Sequence, residues 1–349
     1  MSAKITIVAG LGYSDEGKGH IVQLLTTNDT FEYKEYDVVM RCNGSWSSSH
    51  QIDENLQYKC FHLPSITKEN MVLIVGQGMF VCPKVLIQEL KQDFRKNQKI
   101  YISNECFVIE DNIITNYIGD EKIGTLGSGV RDTSIKKLNH KAKKLKDIVD
   151  KNNYSELSSY LIDDEEYFSL TNGKNILVEG SHGYLIDCNF GNYPYTTSTN
   201  TTPSGIMSLT KYSPKCCEKN IFVTGLILMS LSTHPEHKTF EHYNLGKIEE
   251  LIPTNIKYDY ACGKNMKRNL GPFNVNVIKN IIKYYPDSDL YFTFFDIIDL
   301  LGIFYYIEND KLNIIEKNGC TDKFKSDIMN FLLSKFNVNI LICPKPFER

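Results

Sequence analysis

The sequence predicts an α/β fold, built on a large, mostly parallel central sheet with helices on both faces and entered through a P-loop-like first strand, loop and helix. Three observations carry this expectation. Short apolar runs alternate with helical patterns almost to the C-terminus, as when crossover helices connect parallel strands. Several of those runs are apolar at every position, as in strands covered on both faces. The first run opens directly into a glycine-rich turn, Gly10-Leu11-Gly12-Tyr13-Ser14-Asp15-Glu16-Gly17-Lys18-Gly19.

In chain order, residues 4–9 read as a buried strand and 20–26 as the start of a helix. Residues 72–75 form a second buried strand, closed by Gly76-Gln77-Gly78. Pro83 suits a first helical turn, and Leu86, Leu90 and Phe94 then share one face. A short strand over 100–102 precedes a basic, polar-faced helix over 133–150. Residues 175–179 are a strand entering a glycine turn, and 221–229 and 290–295 are apolar enough to be central. Residues 303–316 resemble a hairpin turned at Asn309-Asp310, 322–336 an amphipathic helix, and 339–342 a last strand. No internal repeat, low-complexity segment or Pro/Gly/Ser-rich linker interrupts the chain, so a single domain over 1–349 is expected. Ligands of such sheets sit beyond the carboxyl ends of the strands.

Composition narrows the function. The chain has 349 residues, 42% hydrophobic and 23% charged, which excludes a disordered tail, a collagen and a small disulfide scaffold. Burying on the order of 75% of its unfolded surface, it needs no metal or disulfide for a core. A net charge of −3 gives no support to a nucleic-acid-coating or membrane-surface role. No run approaches the ~18 apolar residues that span a bilayer, and residues 1–4 lead into a strand rather than a signal-peptide core. The ten cysteines form no C-x-x-C pair and read as reduced thiols of a cytoplasmic protein.

The glycine loop carries the chemistry. Glycines let backbone N–H groups close around phosphate oxygens, the helix N-terminus adds partial positive charge, and Lys18 adds a full one. Gly12 to Lys18 has Walker spacing, but Gly19 replaces the Ser or Thr that holds Mg²⁺. The acidic pair Asp15-Glu16 sits inside the loop, as suits a metal or a proton transfer. Two further segments are unusual: residues 41–50, ending in Ser47-Ser48-Ser49-His50, and 178–183, leading to a run of hydroxyl and amide groups over 193–202.

Together these segments resemble the adenylosuccinate synthetase family. The family's first loop reads glycine, aspartate, glutamate, glycine, lysine, glycine, and residues 14–19 match all but the first. Its second motif ends in asparagine, alanine, glycine, histidine, here 47–50. Its third resembles Glu179-Gly180-Ser181-His182-Gly183, then Tyr193-Pro194-Tyr195 and 197–202. Residues 123–129 also look like a family loop.

The resemblance implies a carbon–nitrogen ligase. An NTP, GTP or ATP, phosphorylates the 6-oxo group of a purine nucleoside monophosphate with Mg²⁺, and aspartate then displaces phosphate to give an N6-succinyl nucleotide. By motif position Asp15 and His50 are catalytic, as base and acid. Ser14, Glu16, Gly17, Lys18, Gly19, His50 and Asp296 contact the NTP. Asp15, Ser47, Ser48, Leu126, His182 and Thr197 contact the substrate nucleotide. Lys264 and Arg268 clamp the amino acid's carboxylate, and Asp15 with the Ser49 carbonyl holds the metal. A homodimer is expected, with no nucleic-acid or membrane partner.

The departures concentrate away from the phosphate machinery. The family's substrate-site asparagine is Ser47, its base-reading glutamine is His182, and a threonine near the nucleotide phosphate is Leu126. The arginine-rich loop survives only as residues 263–268. The donor-base motif is Thr293-Phe294-Phe295-Asp296, without its lysine. This pattern suits altered substrate choice, as in the viral 2-aminoadenylosuccinate synthetases, which act on deoxy-GMP. A catalytically inactive nucleotide-binding regulator is the alternative of another class. A generic P-loop NTPase is a third reading, opposed by Gly19.

Overall fold

The computed structural model describes residues 2–27, 35–48, 50–51, 59–111, 124, 126–150, 153–259 and 266–343. Its centre is a nine-stranded sheet. Numbering only these strands, they are β1 (Lys4–Gly10), β2 (Val38–Arg41), β3 (Val72–Val75), β4 (Lys99–Ser103), β5 (Leu161–Ile162), β6 (Asn175–Gly183), β7 (Cys217–Gly225), β8 (Asp289–Thr293) and β9 (Asn339–Ile342). Their spatial order is β9-β8-β7-β1-β6-β2-β3-β4-β5, and every neighbouring pair is parallel.

The unbroken apolar runs follow from this position. Side chains alternate across a strand, so each central strand must be apolar on both faces. Ile5, Ile7, Val38, Met40, Ile176, Val178, Phe222, Leu290 and Phe292 face one core, while Val8, Val39, Leu73, Val75, Leu177, Ile221, Val223 and Tyr291 face the other. Helices cover both. Ile21, Val22, Leu24 and Leu25 of α1 (Lys18–Thr27) seal the second core. The helices Val275–Ile282 and Thr321–Lys335 seal the first through Ile278, Ile282, Phe324, Ile328 and Leu332.

A smaller four-stranded sheet joins Ile227–Ser230, Asn269–Asn274, Ile303–Glu308 and Lys311–Glu316. The last two form the expected hairpin, with Asn309 and Asp310 at φ 51° and 59°, the left-handed pair of a type I′ turn.

Three expected elements differ. Residues 221–229 are two strands in two sheets, because the chain turns sharply at Gly225, where a Cβ would lie 2.5 Å from the Ile227 carbonyl oxygen. The long helix over 133–150 is instead Val130–Leu138 and a single turn, Leu145–Ile148. Between them the backbone pairs with residues 106–108: Val108 N donates to Lys143 O, and Leu145 N to Cys106 O. Phe94 is not on the Pro83–Leu90 helix but in the separate turn Asp93–Arg95. The β4 and β9 segments, the Thr321–Lys335 helix and the opening strand–loop–helix stand where the sequence places them.

Candidate active site

The carboxyl ends of β1, β2, β6, β7 and β8 meet around the glycine loop that leaves Gly10. That loop is held from inside. Glu16, fully buried, turns its carboxylate inward: Oε1 accepts from Gly12 N (2.9 Å) and Ser14 N (3.0 Å), and Oε2 from Lys18 Nζ (2.6 Å). Lys18 Nζ also donates to Ser14 O (2.6 Å). Burial pushes the Glu16 carboxyl upward against the opposing pull of Lys18, and the pair is one of coupled buried charges. From β8, Thr293 Oγ1 donates to Glu16 O (2.8 Å), tying the strand that ends beside Asp296 to the loop. Ser14 stands at φ 148°, a conformation that favours glycine, and the family's motif has glycine there.

His50 is the second centre. Its Nδ1 donates to Glu179 Oε1 in a short contact and lies 3.0 Å from Ser65 Oγ. Glu179, near the end of β6, also accepts from Ser65 Oγ (2.6 Å) and Ser65 N (2.7 Å). Burial would raise the Glu179 carboxyl, but His50, Arg41 and Ser65 outweigh it and bring it down to about 2, so it is ionised. The ring is therefore fixed in the tautomer with a proton on Nδ1. Gly19 is required by this packing: a Cβ there would lie 2.7 Å from His50 Cβ and 3.0 Å from Ser65 Cβ. The residue that breaks the Walker pattern makes room for the histidine.

The third part is the loop mouth. Ser14 Oγ and His182 Nδ1 are 3.4 Å apart. Burial, then the nearby Lys18 and Arg41, hold His182 down to about 3, so this imidazole is neutral and offers one donor and one acceptor. Asp15 Oδ2 accepts from Arg268 Nε at 2.7 Å. Burial acts to raise Asp15, but Arg268, then Lys18, prevail, and its carboxyl is lowered.

The chain matches the adenylosuccinate synthetase family model over residues 7–170 and 154–302. It belongs to the adenylosuccinate synthetase family. Among curated relatives, the adenylosuccinate synthetase of Wigglesworthia glossinidia brevipalpis is 26% identical over 350 residues, covering 85% of this chain and 78% of its own. That of Thermococcus sibiricus is 35% identical over 212 residues, 58% of this chain and 59% of its own. The fold is that of the fully ligated adenylosuccinate synthetase from Plasmodium falciparum (TM-score 0.78, 17% identity, 99% of this chain and 98% of that one). It is also that of the cyanophage S-2L succinoaminodeoxyadenylate synthetase solved with dGMP and dATP (TM-score 0.66, 13% identity, 95% and 100%). Family members are ligases that form a carbon–nitrogen bond on a purine nucleotide, and this chain is such a ligase.

The other positions expected of a synthetase distribute as follows. Ser47 Oγ lies 3.2 Å from Ser45 Oγ, and Ser48 Oγ donates to Ser45 O (2.7 Å) in the same turn. Leu126 is half-buried, and its segment reaches that turn through Ser128, whose carbonyl accepts from Trp46 Nε1 (3.0 Å). Thr197 N donates to Ile186 O, with its Oγ1 3.5 Å from Thr199 Oγ1. The 197–202 run reaches the centre through Asn200, whose carbonyl accepts from Asn43 Nδ2 (3.0 Å). Asp296 sits in the first turn of the Phe295–Leu301 helix. Ser49 and Lys264 lie outside the described residues.

Sequence reasoning missed Glu179, Ser65 and Arg41. Glu179 stood inside a recognised motif, and an acidic residue buried at a strand's carboxyl end was the signal available. For Ser65 the sequence carries none. As for Mg²⁺, a hard cation that keeps several waters takes one or two carboxylates plus substrate phosphates. Asp15, an oxygen donor at the rim of the phosphate loop, fits that mode. Among the described residues no group of three or more His, Cys, Asp or Glu gathers as an all-protein metal site, and no helix is long and apolar enough to cross a membrane.

Proposed function

We propose that this synthetase makes an N6-succinyl purine nucleotide in two steps, with Asp15 and His50 as its acid–base pair and aspartate as amino donor. In the first step the purine 6-oxygen attacks the γ-phosphorus of the NTP, the bond to the bridging oxygen breaks, and NDP leaves. Asp15, ionised, takes the proton from purine N1. His50, its Nδ1 proton committed to Glu179, turns Nε2 to the reacting oxygens, and the Glu179 carboxylate stabilises the imidazolium once a proton arrives. Lys18 and the loop N–H groups bear the transferred charge. Mg²⁺ bound through Asp15 and the Ser49 carbonyl would draw off charge from the γ-phosphate. In the second step the amine of aspartate forms the bond to C6 as the C6–O bond to phosphate breaks, the amine's proton leaves with the departing phosphate, and Arg268 with Lys264 orients the amino acid's carboxylate.

The observation that carries this reading is the convergence of Lys18, Asp15, His182 and the His50–Glu179 pair on one set of strand ends. His182, neutral where the family's motif has glutamine, favours a second reading in which the substrate is GMP or deoxy-GMP and the product a 2-aminoadenylosuccinate. Incubation with IMP, GMP or dGMP, aspartate, Mg²⁺ and either GTP or ATP, read by mass spectrometry, tests both. A succinyl adduct supports the reading and names the base, and none in any combination overturns it. The subunits are proposed to pair as a homodimer, which sedimentation velocity reads directly.

A further inference from the structure

Arg41 ends β2 with a side chain that is fully buried. Among the described residues no carboxylate lies in ion-pair contact with it, and its Nε has no hydrogen-bond partner. A guanidinium removed from water with its nearest counter-charge, Glu179, acting on it only from beyond ion-pair contact is expensive, so its contacts show what the cost serves. Nη1 donates to Phe61 O (2.9 Å). Nη2 donates to Ser48 O (2.9 Å), Ser48 Oγ (3.0 Å) and Ser181 Oγ (2.8 Å).

These four contacts fall on three separate segments. Ser48 precedes His50 by two residues, Phe61 opens the stretch that carries Ser65, and Ser181 stands two residues after Glu179 and next to His182. Each segment supplies one member of the group in which His50 Nδ1, Ser65 Oγ and the Glu179 carboxylate meet. Ser181 is fixed from its other side as well: its N–H donates to Asn43 Oδ1 (2.9 Å) and its Oγ to Asn43 O (2.8 Å). A rigid planar fork is the side chain that can span three backbones at once.

We propose that Arg41 is the positioning residue of the catalytic imidazole: its fork sets the mutual placement of His50, Ser65 and Glu179 without touching substrate. This rests on the catalytic role assigned to His50. The glycine loop, by contrast, is held by Glu16, Lys18 and Thr293, with no contact to Arg41. Loss of the fork therefore reaches the chemical step through His50 and leaves the glycine loop's hold on the NTP phosphates in place.

The test compares Arg41→Lys, Ser181→Ala and His50→Asn, each first checked for a cooperative thermal transition and then assayed with both nucleotides varied. Arg41→Lys keeps the charge and loses the fork. Its kcat should fall by about 10²-fold, the scale of a misplacement near 1 Å, with the KM for NTP within about threefold of wild type. Ser181→Ala, which removes a single acceptor, should lower kcat less, and the double variant should lose less than the product of the two losses because both act on one contact. A folded Arg41→Lys with wild-type kcat, or with its loss confined to the NTP KM, overturns the proposal. Should Arg41→Lys fail to fold, Ser181→Ala decides: a kcat loss at unchanged NTP KM supports the proposal and a wild-type kcat overturns it. Wild-type activity in His50→Asn instead overturns the catalytic role beneath it, so the two failures are distinct.

Discussion

Arg268 and Asp15, 253 residues apart in sequence, form a 2.7 Å ion pair at the mouth of the glycine loop. The guanidinium is anchored from behind, donating from Nη1 to Tyr258 O (2.6 Å) and Ile256 O (3.1 Å). The last cation of the degenerate arginine loop thus rests on the carboxylate assigned to proton transfer. Arg268→Gln removes both the pair and the carboxylate clamp. It should raise the KM for aspartate by at least about thirtyfold, the lower end of what truncating a buried charge pair costs, while the KM for NTP stays near wild type. Initial rates with aspartate varied at saturating nucleotides measure this, and an unchanged aspartate KM removes Arg268 from the amino-acid site.

The Lys18–Glu16 pair separates stability from function. Lys18→Met leaves Glu16 buried without its partner, at a cost of about 3–5 kcal/mol, and abolishes phosphate transfer. Adding Glu16→Gln should recover most of that stability, because the amide oxygen still accepts from the loop N–H groups, while activity stays absent. Urea unfolding read beside turnover distinguishes the two effects. Activity returning with stability would mean that Lys18 only holds the loop shut.

The opening loop was legible because its physics is local: strand, glycines, lysine and helix follow one another in sequence, and Lys18 and Gly19 stand where that order puts them. The two-core sheet was legible from runs such as 72–75, apolar at every position, and 4–9, apolar but for Lys4 and Thr6. What escaped was set by distant backbone. Residues 139–144 carry a helical composition, yet pairing with residues 106–108 overrides it. Glu179, Ser65 and Arg41 meet through contacts spanning 7 to 140 positions, which no spacing rule records.

Gly19 links the two centres. Gly19→Ser restores the Walker residue, yet its Cβ would lie 2.7 Å from His50 Cβ. The expected result is a loss of about 1–3 kcal/mol from overpacking and a kcat reduced by about 10²-fold as His50 is displaced. A folded Gly19→Ser enzyme with wild-type turnover would show that the α1–His50 contact yields easily.

His237 should make the fold acid-sensitive. Its ring is buried and packs on Tyr13 at 4.7 Å. Burial, then the neighbouring His234, outweigh a hydrogen bond with the Leu228 backbone and lower it to about 4, against about 6.5 in the unfolded chain. A histidine that resists protonation when folded leaves the unfolded chain binding more protons as pH drops. Its contribution is therefore fully present above about pH 6.5 and lost progressively as pH falls toward 4. At pH 5 the penalty is about 2 kcal/mol. His237→Phe keeps a ring against Tyr13 and removes the titration, so the drop in unfolding free energy between pH 7.5 and 5 should shrink by about that amount. Equal drops for variant and wild type, from urea midpoints at the two pH values, would assign the acid sensitivity to other groups, His182 first among them.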